Sequence, residues 1–438
     1  MKKQMFLALA MLFAAVGSVW ADDDHIVART QLASAGNMWR YDFYYNTVDV
    51  DGTTPIMLSG AIFMSNDVHS KKKTAKASAL LNHYTITAAS ERPTAVTSAL
   101  TLEGMLSTSH CFIIESDGIG FGLTDDRRQV YLQGRAAARC NIDAFIAGRK
   151  LLQQEGYDTG NIVFNLGYSQ GGHNGAWVDR LLAEGYRNDE LPRINMSYLG
   201  DGPYDILGMY RDLVATNNTT FPSAVLLIPY EMDAYASFPF SMSDAVLPNV
   251  IECIPRLVDS KLYKSKVLND SLFVVVGGNS TDGTPMTNIF KSEFLDESNE
   301  SMAPVLQWFK DNSLVYDAWA PTATDTLVLV HSNTDEVVPY SNATAFSAHL
   351  TAQGYKPFSL YTMNKQTHES GGTYYILSAL TAIQKYCLAG INDVSADDNT
   401  AVPAKRRGTY TIDGRRVSDD AAKQPGVYIV NGKKVVEF

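Results

Sequence analysis

Asn161-Ile-Val-Phe-Asn-Leu-Gly-Tyr-Ser-Gln-Gly-Gly-His173 reads as a strand, a sharp turn and the start of a helix. The apolar run Ile162, Val163, Phe164, Leu166 suits a buried strand. Gly167 and Gly171 flank Ser169 at minus two and plus two, the spacing that lets a chain reverse without side chains colliding beneath the turn. A serine at the apex of such a G-x-S-x-G elbow holds its hydroxyl above the sheet. The N–H of Gln170 points into the same space, as the first of two donors expected to face a developing oxyanion.

Working outward, a helical pattern runs on to about residue 185, and residues 194–199 read as the next strand. Before the elbow, residues 134–155 form a clear helix with Ala138, Ile142, Phe145 and Leu152 on one face. Residues 111–115 are a strand running into Asp117-Gly-Ile-Gly-Phe-Gly122, and residues 79–84 are another, ending in a polar turn. Pro93 is expected to open a helix through Leu106. Residues 39–45 and 56–64, split by Asp51-Gly52, suggest an antiparallel hairpin. Strands alternating with helices at this interval imply a largely parallel sheet covered on both faces, with the hairpin at its edge. The expectation is an α/β-hydrolase fold, with the elbow at the carboxyl ends of the strands where such sheets bind ligands. Between about 205 and 322 the alternation breaks down into a stretch rich in Tyr, Phe, Met and Pro, read as a mostly helical cap over the elbow. Regularity returns with a strand at 326–330, a helix at 341–353, a strand at 358–361 and a last helix at 372–388.

A serine hydroxyl needs a general base oriented by a carboxylate, and in this fold the order is Ser, Asp or Glu, then His. His331-Ser-Asn-Thr-Asp-Glu-Val-Val-Pro339 places Asp335 in the loop after a strong strand, and Thr367-His-Glu-Ser-Gly-Gly372 places His368 between the final strand and the final helix. Asp201 and Asp205, after the preceding strand, are the fallback acids; Asp201 lies in Gly200-Asp-Gly-Pro203, read as a flexible turn that leads the chain up into the cap. Of eight histidines, only His368 stands where the base belongs; His25 and His69 read as loop residues. His83 ends the third strand, and the N–H of Thr85 just beyond it is assigned as the second oxyanion donor. No metal or cofactor is implied.

Gly167-Tyr-Ser-Gln-Gly-Gly-His173, Asp117-Gly-Ile-Gly-Phe-Gly122, His83-Tyr-Thr85 and Asp335-Glu-Val-Val-Pro339 together resemble the secretory lipase family of α/β hydrolases, over most of residues 22–388. The resemblance implies an exported esterase or lipase. The family usually has His-Gly-Thr where this chain has His83-Tyr84-Thr85, and a tyrosine there narrows the site and argues against triacylglycerol. The substrate class is an ester of a small molecule, a lipid or a glycan. A serine exopeptidase of the same fold, or a surface binding protein on an inactive scaffold, are the competing readings.

The whole chain bounds these expectations. Its 438 residues, 45% hydrophobic, can fill a large core. Met1-Lys-Lys3, the apolar run 5–16 and Val19-Trp-Ala21 have the form of a secretory signal peptide, removed before Asp22. Its loss takes two basic residues from a chain of net charge −11. An acidic mature protein is a poor partner for nucleic acid. Four widely spaced cysteines, Cys111, Cys140, Cys253 and Cys387, resemble no metal site and allow either one or two disulfides or buried free thiols. Residues 391–405 read as a linker. In residues 406–438, Asp413-Gly-Arg-Arg-Val417 and Gly426-Val-Tyr-Ile-Val-Asn-Gly-Lys-Lys434 resemble the C-terminal sorting domains of the type IX secretion system. That resemblance implies contact with secretion machinery and delivery to the periplasm, the cell surface or the medium.

Overall fold

The structure is a computed structural model; it describes residues 24–32, 38–70, 75–187 and 189–389, and in the tail the strands at 409–411, 416–417, 426–430 and 433–437. The signal-like segment and the 391–405 segment lie outside these residues.

Nine strands form one sheet: β1 (His25–Leu32), β2 (Met38–Val48), β3 (Pro55–Ser65), β4 (Ala77–Asn82), β5 (Cys111–Ser116), β6 (Ile162–Tyr168), β7 (Met196–Gly200), β8 (Leu327–Ser332) and β9 (Phe358–Met363). Their order is β1-β2-β3-β5-β4-β6-β7-β8-β9. The first strands pair antiparallel, and from β5 onward every pairing is parallel. The strand that carries the elbow therefore lies inside the sheet, flanked by β4 and β7. Helices α1 (Gly134–Gln154), α2 (Gln170–Ala183), α7 (Ser341–Ala352) and α8 (His368–Ala389) cover the parallel part. This is the α/β-hydrolase fold.

Side-chain alternation decides which face each residue serves. In β8, Leu327 and Leu329 join the core built with α1, α2 and α7, whereas Val328 and Val330 join the opposite core with Tyr375, Ala379 and Ile383 of α8. Burial on both faces explains the unbroken apolar run Leu327-Val-Leu-Val330. Each Val, Leu or Phe withdrawn from water contributes about 1.5–3 kcal/mol.

Between β7 and β8 the chain leaves the sheet and folds α3 (Ile206–Thr216), α4 (Pro222–Tyr235), α5 (Ser265–Val276), α6 (Ala303–Asn312) and shorter helical turns. The insertion has its own apolar core, including Ile206, Leu226, Met242, Leu257, Leu272 and Phe309. Lys261 ties it to the sheet domain by donating to the carbonyls of Gly120, Asp125 and Arg127.

Several expectations change. β1 was not expected, so His25 is a strand residue. His69 sits in a short helix with its ring stacked on Trp39 at 3.8 Å. The helix expected from Pro93 to Leu106 is instead a single 3-10 turn, Pro93–Ala95, and a separate helix, Leu102–Ser107. Thr101 starts the second piece by accepting from the Gly104 N–H, an N-cap bond that a continuous helix has no place for. The last helix begins at His368, four residues early. All four cysteines are free and buried; burial pushes the Cys111 thiol up, and that of Cys140 up to about 12.

The chain divides into two compact units, Met1–Cys387 and Leu388–Phe438. In the second unit β10 (Thr409–Thr411), β11 (Arg416–Val417), β12 (Gly426–Val430) and β13 (Lys433–Glu437) form an antiparallel sheet of order β11-β10-β12-β13. Val430 pairs with Lys433, the register of a β-hairpin. Among the described residues, no helix is long and apolar enough to cross a membrane.

Candidate active site

Ser169 joins β6 to α2 with φ 58° and ψ −124°, a backbone region that non-glycine residues avoid. The packing beneath it enforces the turn. A Cβ on Gly167 would stand 2.1 Å from the Gly171 carbonyl oxygen, and one on Gly171 would stand 2.1 Å from that of Asn82. Only glycine permits both approaches. The Ser169 N–H donates to the Gly200 carbonyl at 2.9 Å, tying the elbow to β7.

The loop after β8 and the first turn of α8 bring two further side chains to this serine. His368 Nε2 lies 2.8 Å from Ser169 Oγ, and His368 Nδ1 lies 2.6 Å from Asp335 Oδ2. Asp335 Oδ1 accepts the N–H groups of Val337 and Val338, both at 2.8 Å, so each carboxyl oxygen has a task. The His368 N–H donates to Glu336 Oε2 at 3.0 Å. With Nδ1–H pointing at a carboxylate, Nε2 presents its lone pair to the serine hydroxyl.

The electrostatics follow from burial set against this pairing. Burial opposes the charge on Asp335, but His368, by its charge and its hydrogen bond, holds that carboxyl below the ordinary value. For His368, burial presses the pKa down and Asp335 more than reverses it, leaving the ring a stronger base than a free imidazole. Oriented base and activated hydroxyl are the two requirements of nucleophilic attack on a carbonyl.

Ser169 and His368 open onto a cavity of about 880 Å³. Thr85 and Gln170 line it as well, and Gln170 is the first residue of α2, whose N–H is among those a helix leaves without an intrahelical partner. The insertion supplies an apolar wall of Met209, Leu213, Phe221, Val225 and Ile228, and Tyr84 lines the same space.

The fallback acids fall elsewhere. Asp205 caps α3, accepting from the Gly208 N–H at 2.9 Å and the Tyr316 hydroxyl at 2.8 Å. Asp201 was expected in a flexible turn leading into the insertion; instead it is fully buried at the end of β7, with Oδ2 2.5 Å from the Tyr168 hydroxyl and Oδ1 accepting the Ser332 N–H at 2.8 Å. Sequence reasoning missed Tyr168 and Glu336. Each is adjacent in sequence to a residue it did single out, and that adjacency was the available signal.

The class that the structure defines is the α/β-hydrolase fold, with a serine at the sharp turn from β6 to α2. No protein-family model matches the chain, and no curated protein matches it in sequence. Among solved structures, the chain is similar to the rice cell wall degrading esterase LipA from Xanthomonas oryzae, at 19% identity and TM-score 0.63 over 83% of this chain and 95% of that one. It is similar to a Legionella pneumophila protein at 16% identity and TM-score 0.68, over 83% and 97% of the two chains. It is also similar to Candida antarctica lipase A in its closed state, at 16% identity and TM-score 0.60 over 84% and 82%.

Proposed function

We propose that this protein is an exported serine hydrolase of carboxylic esters. The observation that carries the reading is the line from Ser169 Oγ through the His368 ring to Asp335, at 2.8 and 2.6 Å, on the wall of a cavity large enough for an ester. Ser169 Oγ attacks the ester carbonyl as His368 Nε2 takes its proton; the carbonyl oxygen becomes an oxyanion facing the N–H groups of Thr85 and Gln170. His368 returns the proton to the departing alcohol, leaving an acyl group on Ser169. Water, deprotonated by His368, then releases the acid and restores the serine. Asp335 holds the ring in the tautomer that makes this possible. No step calls on a metal or cofactor.

The fold shared with an esterase and a lipase favours ester over peptide substrates, and the apolar wall of the insertion favours an acyl or aryl group over a charged one. The leader-like segment and the sorting-like tail support export, with a lipid, glycan or small-molecule ester as substrate and no nucleic-acid partner. A chain-length series of nitrophenyl esters, run beside aminoacyl anilides, tests the reading. Turnover of esters with anilides ignored is expected. Faster turnover of anilides would make the protein an exopeptidase, and turnover of neither would make it a binding protein.

A further inference from the structure

Behind His368 lies a hydrogen-bonded chain whose protons can be counted. The Tyr168 hydroxyl is 2.5 Å from Asp201 Oδ2 and 2.6 Å from the carbonyl oxygen of His368. A phenol has one proton. If Asp201 were ionised, both neighbours would be acceptors and one of two short contacts would lack a hydrogen. If Asp201 carries a proton on Oδ2, both are satisfied: the carboxyl donates to Tyr168, and Tyr168 donates to His368. The other carboxyl oxygen then serves as the acceptor that the Ser332 N–H already requires.

The surroundings agree. The titratable groups facing Asp201 are Tyr168 from β6, His331 from β8, Asp335 from the loop after β8, His368 from α8 and Tyr204 from its own loop. Neither lysine nor arginine is among them. His331 donates its Nε2–H to the Val338 carbonyl at 2.9 Å, so its Nδ1, 3.7 Å from Asp201 Oδ1, bears a lone pair and no countercharge. A Cβ on Gly371 would stand 2.7 Å from the Tyr168 oxygen and 2.8 Å from Asp201 Oδ2, which shows how closely the start of α8 packs on this chain. Asp201, His331 and Asp335 have the spacing of a metal-ligand set, but the Asp335 and Asp201 oxygens are already engaged by N–H and O–H groups. The cluster is an internal network.

We infer that Asp201 is a positioning residue that works as a neutral carboxylic acid, donating through Tyr168 to the His368 carbonyl and so fixing the backbone from which the base projects. The inference rests on the reading of Ser169, His368 and Asp335 given above. Burial first, and the charge of Asp335 second, lift the Asp201 pKa to about 7. On ionisation Tyr168 must turn its proton to the carboxylate and the His368 carbonyl loses its donor, so the backbone that carries the base is no longer fixed. Ester turnover then falls on the alkaline side for a reason that the Ser169, His368 and Asp335 trio alone does not supply.

Asp201→Asn keeps a donor toward Tyr168 and an acceptor toward Ser332 but cannot ionise, whereas Asp201→Leu keeps neither. Loss of positioning in Asp201→Leu is expected to lower kcat by about 10²-fold, the scale of a misplacement near 1 Å. Asp201→Asn should restore most of that and remove the alkaline inflection of the wild-type pH profile. Tyr168→Phe, which leaves Asp201 in place, should lower kcat with little change in KM. Independently of turnover, the infrared difference between wild type and Asp201→Asn at pH 5.5 should contain one carboxylic-acid carbonyl band, lost as the pH rises past about 7. Absence of that band, or an alkaline inflection that survives in Asp201→Asn, would overturn the inference. If no ester is turned over at all, the reading of the active site fails, and the infrared band still decides the state of Asp201.

Discussion

Asp335 gives one carboxyl oxygen to the His368 ring and the other to two backbone N–H groups. Amidation would leave the backbone bonds intact while setting an NH₂ against Nδ1–H. The ring would have to flip its tautomer and turn a proton toward Ser169. Asp335→Asn is therefore expected to lower kcat by roughly 10³- to 10⁴-fold with the fold unchanged, measured with a nitrophenyl ester. Asp205→Asn, at a helix cap remote from the ring, should cost far less; the reverse ranking would move the acid. Ser169, Asp335 and His368, which the structure brings together, were legible as candidates because each sits in a recognisable local signature: glycines around the serine, and loops at strand ends for the aspartate and the histidine. Asp201 was misjudged because Gly200-Asp-Gly-Pro203 is locally a turn signal. Its burial depends on β7, β8 and α8 converging, which no local pattern encodes.

Among the elements, the elbow is the most tightly determined. A methyl group on Gly171 has no route past the Asn82 carbonyl, so Gly171→Ala must move backbone rather than a side chain. A destabilisation of about 3 kcal/mol or more is expected, read by denaturant unfolding; wild-type stability in Gly171→Ala would show that the turn is held by something else. β4 to β8 were legible as short, mostly apolar runs because both faces are buried, and polar residues within them, such as Asn165 and Ser197, are hydrogen-bonded internally. β1 was not: His25-Ile-Val-Ala-Arg-Thr-Gln-Leu32 is mostly part-exposed at the sheet edge and mixes polar with apolar residues. The region from Pro93 to Leu106 carries helix formers, but Ser98 and Thr101 offer side-chain bonds that compete with a continuous helix.

For the whole molecule, buried carboxyls contribute to the pH dependence of stability, and buried His173, His331 and His349, whose pKa values burial lowers, contribute with the opposite sign. Burial raises Asp117 to about 6, Asp179 to about 6 and Asp201 to about 7, against about 3.9 for an aspartate in the unfolded chain. Between these values the native state holds protons that the unfolded state has released, so the carboxyls' contribution to stability falls as pH rises. The contribution is fully present below about pH 4 and lost as pH passes the folded values. Asp179→Asn removes one of these contributions and replaces an oxygen that has no partner, so its melting temperature should gain on that of the wild type as pH rises from about 4.5 to 7. A difference between the two that does not shift in the variant's favour over this range would refute it. The tail gives a separate expectation: a chain ending at Asp393 keeps the whole first compact unit and should remain soluble and active. If the tail is an address, the shortened protein should stay in the periplasm of its host; unchanged delivery would show that it is not.

The central claim is that Ser169 is the nucleophile. The most direct measurement treats the protein and its Ser169→Ala variant with a fluorophosphonate probe and maps the modified peptide while following nitrophenyl ester turnover. The account predicts a single adduct on Ser169 with loss of turnover, and a folded Ser169→Ala protein that takes no label and turns over no ester. An adduct on another residue, or ester turnover that persists in Ser169→Ala, would contradict it.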